Sequence, residues 1–228
     1  MKCPRCYYLH YIAGIEVPTI SEPMHFGSAI HAGLAQMYRG KPYRPAFMAA
    51  LNENFDKVRK SDDSVPDKND MMIEGFTLLS VYEQKRYFFG QVIGVEKQAM
   101  IKVVHPDTGE VLPQEMMVRI DLILDNGIVD HKIKSNAFDL YEASVDIQKV
   151  AYWMAYEYIY GKEPEYFAFN QLLRRKGMPK IEKPLRFTVT KEEKIAFFDT
   201  AKEVLENIKV GKFNRSDSVR HDYPLICQ

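Results

Sequence analysis

The stretch Ile120-Asp121-Leu122-Ile123-Leu124-Asp125-Asn126-Gly127-Ile128-Val129-Asp130-His131-Lys132-Ile133 decides how this chain reads. Two runs of alternating character flank Asn126-Gly127, a dipeptide that favours a two-residue type I′ hairpin turn. With Asp125 paired to Ile128, Asp121 falls directly across from Lys132, and Ile123 across from Asp130. Strand side chains alternate, so Asp121, Asp130 and Lys132 share one face. Val129, His131 and Ile133 share the other with Ile120, Leu122 and Leu124. Opposed Cβ atoms lie about 4.5–5.5 Å apart and diagonal ones about 7–8 Å, so both carboxylates can converge on one cation with Lys132 beside it. Such oxygen donors suit Mg²⁺, and a neighbouring lysine can position water and stabilise charge building on a phosphate. Taken alone, Asp121 and Lys132 are far more often an ordinary cross-strand ion pair on a wet sheet face than a catalytic site.

Working outward, Val92 to Ile133 reads as a three-stranded meander punctuated by Pro106-Asp107-Thr108-Gly109 and by the hairpin turn. Upstream, apolar residues at helical spacing predict helices from Phe26 to Arg39, from Pro45 with Phe47, Leu51, Phe55 and Val58 on one stripe, and after a loop at Ser61–Asn69. Downstream come a helix over Ser144–Tyr160, strands near Tyr166–Leu173 and Leu185–Val189, and a last helix opened by the capping box of Thr190 and Glu193. The order implies an α/β (α+β) fold, a central mixed β-sheet flanked by helices. Residues 1–228 are expected to form one domain, with 1–90 mainly helical and 91–228 forming the sheet core and its flanking helices.

Hydrophobic content of 46% and charged content of 27% are those of an ordinary globular protein, and no apolar run reaches the roughly 20 residues that cross a bilayer. With no secretory signal visible, a cytoplasmic location is expected. Lys plus Arg (31) balance Asp plus Glu (31), so affinity for nucleic acid must come from a local basic surface or a bound metal rather than from net charge. Arg174-Arg175-Lys176, with Lys180, Lys183 and Arg186, is a candidate phosphate-contacting strip; solvated loop charge is the plainer reading. Cys3, Cys6 and Cys227 cannot form a paired disulfide framework. Thiol redox chemistry at Cys3 and Cys6 lacks the preceding strand it needs, and a zinc site would require an added ligand such as His221.

Taken together, Gly27-Ser28-Ala29-Ile30-His31, Asp121, Asp130-His131-Lys132 and Gln148-Lys149-Val150-Ala151-Tyr152 resemble, in order, the successive motifs of RecB-like PD-(D/E)XK nucleases, including the CRISPR-associated RecB-like exonucleases. Cys3-Pro4-Arg5-Cys6-Tyr7-Tyr8 resembles the segment that precedes the family's histidine. The resemblance implies a restriction-endonuclease-like core and a Mg²⁺- or Mn²⁺-dependent deoxyribonuclease. It would act from DNA ends in recombination, repair, phage or CRISPR-related processing, with protein partners of those systems. An endonuclease of the same fold and a noncatalytic nucleic-acid-binding protein are the alternatives. By resemblance, His31, Asp121, Asp130 and the His131 carbonyl hold the metal and Lys132 is the catalytic lysine. Gln148 and Tyr152, four apart on one helix face, contact DNA or the carboxylates, and Glu96 supports a second metal or a DNA contact. Without their company, His31 and Tyr152 would read as core residues and Glu96 as a solvated strand glutamate. Relatives carry a [4Fe-4S] cluster on four cysteines; Cys3, Cys6 and Cys227 make an incomplete set, and three ordinary thiols are the alternative. Val118 replaces a frequent glycine and Ile133 a frequent threonine, departures that bear on how closely DNA approaches the hairpin.

Overall fold

Apolar spacing and backbone capping place the elements of the computed structural model, which describes residues 4–15, 19–85, 87, 90–175 and 177–214. In chain order these are α1 (Pro4–Tyr7), running into a wider helical turn (Tyr8–Ile12), then β1 (Ile20–Ser21), α2 (Glu22–Tyr38), α3 (Tyr43–Asn52), β2 (Val58–Arg59) and α4 (Lys68–Lys85). They continue with β3 (Val92–Ile101), β4 (Met116–Leu124), β5 (Gly127–Lys134), α5 (Leu140–Ser144), α6 (Ile147–Tyr160), β6 (Tyr166–Leu173), β7 (Lys180–Ile181), β8 (Leu185–Phe187) and α7 (Lys191–Lys209). The mixed sheet runs β3-β4-β5-β6-β7, with β8 also on β6; β5 and β6 are parallel and the other neighbours antiparallel. Among the described residues, no helix is long and apolar enough to cross a membrane.

Two apolar layers sandwich the sheet. On one side Phe26, Ile30, Leu34, Phe47, Leu78 and Leu79 of α2–α4 pack with Leu172 and Ile181. On the other, Trp153 and Tyr156 of α6 and Phe198 of α7 pack with Ile123, Ile128, Phe167 and Phe169. Every residue of β6 is buried, which is why its sequence is a continuous apolar run interrupted by Asn170 and Gln171. Helices α3 and α4 approach closely at Gly75, where a Cβ would lie 2.1 Å from Phe47 Cζ. The last helix starts where the capping box places it, with Thr190 and Glu193 bonding each other's backbone.

Several local expectations are corrected. The second helix ends at Asn52, so Phe55 and Val58 leave its stripe: Asn54 takes a left-handed conformation (φ 50°) and Val58 pairs in β2 with Ile20 of β1. The helix expected from about Ser144 starts at Ile147 as α6, capped by Asp146, and a separate short helix, α5, capped by Asp139, ends at Ser144. The hairpin register is shifted by two: Ile123 faces Ile128 and Leu122 faces Val129, which leaves Asp125-Asn126 as the loop and brings Asp121 opposite Asp130 rather than Lys132. A type I′ turn needs positive φ at both loop residues, and neither Asp125 nor Asn126 has it.

Tertiary contacts set this turn. The Asp125 carbonyl accepts from Tyr156 Oη and Lys162 Nζ, both at 2.9 Å, its N–H donates to the Gln91 carbonyl, and the Asn126 carbonyl accepts from the Glu165 N–H at 2.7 Å. Gly127 serves close approach in β5, since a Cβ there would sit 2.8 Å from the Tyr166 ring. The common apolar face expected for Ile120, Leu122 and Leu124 also breaks: Ile120 packs with the α6–α7 layer, Leu122 and Leu124 with Val129 and Ala168. The break coincides with Glu96 on the neighbouring strand, whose φ of 52° is left-handed within an otherwise extended run.

Candidate active site

The β4–β5 ladder stops at Leu122↔Val129, and beyond it the Asp121 carboxylate takes the place of a strand carbonyl, accepting the His131 N–H at 2.8 Å. The resulting fork is filled from both sides of the sheet. From α2, His31 Nδ1 comes to 3.4 Å from Asp121 Oδ2 and 3.9 Å from Glu96 Oε1. Donor atoms of His31, Glu96 and Asp121 all lie within 4.8 Å of one another, a grouping that can hold a metal ion. From α6, Gln148 Oε1 accepts from Lys132 Nζ at 2.5 Å while its amide donates to Tyr152 Oη at 2.8 Å, and Tyr152 donates to the Arg119 carbonyl. The chain of donors orients the Gln148 oxygen at Lys132, whose ammonium lies 2.9 Å from Asp130 Oδ2 and 5.1 Å from the Phe169 ring centre.

Burial dominates the electrostatics. It pushes Asp121 up to about 7, against the His131 N–H bond that lowers it, and pushes Asp130 up to about 7 with help from the Asp121 charge. The pair therefore titrates together near neutrality. Burial lowers His31, opposed by Asp130 and Glu96, so its imidazole is available as a neutral ligand. Burial likewise drives His131 down to about 3, and raises Tyr152. Asp130 Oδ2 is buried and meets no hydrogen-bond donor of good geometry, although the Lys132 ammonium is close. Two acids held together in a dry fork, an under-satisfied carboxylate oxygen and a neutral imidazole fit a hard divalent cation such as Mg²⁺ or Mn²⁺.

Of the residues singled out from sequence, the fold gathers His31, Glu96, Asp121, Asp130, His131, Lys132, Gln148 and Tyr152. The face carrying Asp130 is not a wet one: α6 covers it and Asp130 is buried. Glu96 enters as a neighbour of His31 and Asp121 and is gripped by Arg119 at 2.6 Å. The His131 ring points away from the carboxylates, stacking on Tyr38 and touching Asn170 at 2.8 Å, which leaves its backbone at the fork. Arg174 stands apart: Glu22 (2.5 Å) and Glu74 (2.8 Å) hold it and it lies over Phe26, so it ties α2 and α4 to the end of β6 rather than offering a free charge to phosphate. Arg175 lines, together with Glu22, Glu74 and Arg174, a cleft beside the end of β6. Cys6 is buried in α1; Cys3, Cys227 and Lys176 lie outside the described residues. Sequence reasoning missed Arg119, and missed Asn170 with Tyr38 and Tyr82 as the support behind His131. A polar Asn170 inside an otherwise apolar buried strand was the available signal.

A mixed sheet with helices on both faces is the architecture of the restriction-endonuclease-like fold. Residues 1–228 match the family model of the PD-(D/E)XK nuclease superfamily, and the chain belongs to that superfamily, hydrolases of phosphodiester bonds that use divalent metal ions. Among solved structures, a candidate exonuclease from Eubacterium rectale aligns with a TM-score of 0.64 at 15% identity, covering 100% of this chain and 80% of that one, which is a likeness of fold. The structure of SSO0001 aligns with a TM-score of 0.35 at 11% identity, over 89% of this chain and 83% of that one, and supports no argument. No curated protein matches the chain.

Proposed function

We propose that the chain is a Mg²⁺- or Mn²⁺-dependent deoxyribonuclease acting from DNA ends, with residues 1–228 working as one nuclease domain. The observation that supports this reading is the grouping of His31, Glu96 and Asp121 at the point where β4 and β5 part, with Asp130 paired to Lys132 at 2.9 Å beside it. In this reading Asp121, Asp130, His31 and the His131 carbonyl hold the cation, and Glu96 completes the acidic side. A divalent ion held there would supply Lewis acidity towards a phosphoryl oxygen and lower the pKa of a water. Lys132, steadied by Gln148 and Asp130, orients the attacking water and neutralises charge gathering on the scissile phosphate. Gln148 and Tyr152 are positioning residues, acting through Lys132 and the β4 backbone.

Action from ends is supported by the motif resemblance and by the candidate exonuclease that shares the fold. DNA processing in recombination, repair, phage or CRISPR-related systems, in the cytoplasm and with their protein partners, extends the same reading. Cys3, Cys6 and Cys227 stay candidate ligands of a [4Fe-4S] cluster, a set one thiolate short of the four it takes. The test is cleavage of end-labelled linear and closed circular DNA, single- and double-stranded, with Mg²⁺, Mn²⁺ or EDTA, beside Lys132→Ala. Metal-dependent loss of linear DNA that requires Lys132, with circles intact, is expected. Cut circles would make the chain an endonuclease, and no cleavage at all would leave a binding protein.

A further inference from the structure

The stretch from α5 to the first residue of α6 holds four large apolar side chains in water: Leu140 is 62% exposed, Tyr141 75%, Val145 61% and Ile147 53%. Helix α5 itself buries Ala143, so these four side chains are not what anchors it to the core. Outward Leu140 and Tyr141 on α5, followed by exposed Val145 and Ile147, form the kind of apolar stretch that marks an interaction site. Both ends of the segment are anchored at the lysine of the fork. Phe138, before α5, packs on Phe169, the ring beneath Lys132, at 5.0 Å, and lies under the Lys134 ammonium at 4.0 Å. Gln148, directly after Ile147, accepts from Lys132. Lys134 also reaches Glu142 of α5, at 3.7 Å. The stretch is therefore tied at both ends to Lys132, through Phe138 on Phe169 before it and through Gln148 after it.

We propose that this strip, with Tyr141 foremost, is a stacking platform for unpaired bases of the DNA strand under attack, and that it favours single-stranded or frayed ends over blunt duplex. The proposal rests on the nuclease reading above. Paired bases hide their faces in their own stack, whereas unpaired bases offer them to an aromatic side chain irrespective of sequence. A chain of zero net charge cannot draw DNA by its overall field, and Arg174 is occupied by Glu22 and Glu74, so stacking supplies grip that charge does not.

The experiment uses the full chain carrying Lys132→Ala, in Mg²⁺, with a short single strand bearing 2-aminopurine near its end and, separately, a blunt duplex. Binding quenches 2-aminopurine, Tyr141→Ala weakens single-strand affinity by about tenfold, Tyr141→Phe retains it, and duplex affinity is unchanged. With Lys132 intact, Tyr141→Ala raises KM on single strands and leaves kcat unchanged. Unaltered single-strand affinity in Tyr141→Ala, an equal loss in Tyr141→Phe, or an equal loss on duplex would overturn the platform. Hydrolysis of bis(4-nitrophenyl) phosphate, too small to reach Tyr141, tests the hydrolytic centre separately. Wild type inert on it and on DNA, yet quenching through Tyr141, would sink the nuclease reading and leave the platform standing.

Discussion

Replacing Asp121 by Asn should make the metal-free protein more stable while ending its activity. Burial raises Asp121 from 3.8 to about 7, so the folded chain holds that proton more tightly than the unfolded chain does. The sign follows: folding stability falls as pH rises between those two values, the full penalty is present above about 7, and none remains below 3.8. For one carboxyl the difference amounts to about 4 kcal/mol, and its coupling to the equally raised Asp130 brings the gain from a single substitution to about 2–4 kcal/mol. Asn keeps an oxygen to accept the His131 N–H, so the hydrogen bond at the fork survives. In a domain of this size the gain corresponds to a Tm rise of roughly 5–15 °C at pH 8 in EDTA, shrinking to a few degrees near pH 4.5. Thermal denaturation at both pH values reads it directly. Adding Mn²⁺ at pH 8 should lift the wild type and leave Asp121→Asn nearly unmoved. A variant less stable than wild type at pH 8, or shifted equally at both pH values, would refute the buried-charge account of the site.

Lys132→Ala should preserve the metal-induced Tm rise and lower cleavage by at least about a hundredfold, because the lysine acts on the reacting phosphate and not on the ion; lost metal response would reassign it. Arg174→Ala should lower stability by about 1–3 kcal/mol, by leaving Glu22 and Glu74 without their partner, with little change in DNA affinity, and Arg175→Ala should show the reverse. Denaturation and anisotropy titrations on the two variants separate these roles. Gly75→Ala forces a methyl group into Phe47 and should cost about 1–3 kcal/mol, read as a lower urea midpoint with cleavage per folded molecule unchanged.

Asp121, Asp130 and Lys132 could be read from the chain because strand alternation is a local property: a slip of two residues in the hairpin keeps all three on their face. The same logic made β6 legible from its apolar run and α7 from Thr190 and Glu193, whose hydrogen bonds reach three residues along the chain. The register itself was not local. Tyr166 crowding Gly127, and Tyr156, Lys162 and Glu165 claiming the turn carbonyls, come from segments 30 or more residues away, and they override the preference of Asn-Gly for its own turn. That shift turns Asp121 from a partner of Lys132 into the neighbour of Asp130.

Charge behaved in the same way. Basic letters at Arg174 and Arg175 look alike in sequence, yet one meets two glutamates contributed by α2 and α4 and the other does not share those ion pairs. The left-handed Glu96, the break between Ile120 and Leu122, and the desolvation that raises both aspartates are features of the folded sheet and its packing. The amino-acid sequence by itself determined the longer elements, the mixed-sheet architecture and the superfamily. Tertiary structure decided which groups touch and which protons they keep, because packing sets register, burial and dielectric among residues far apart in the chain.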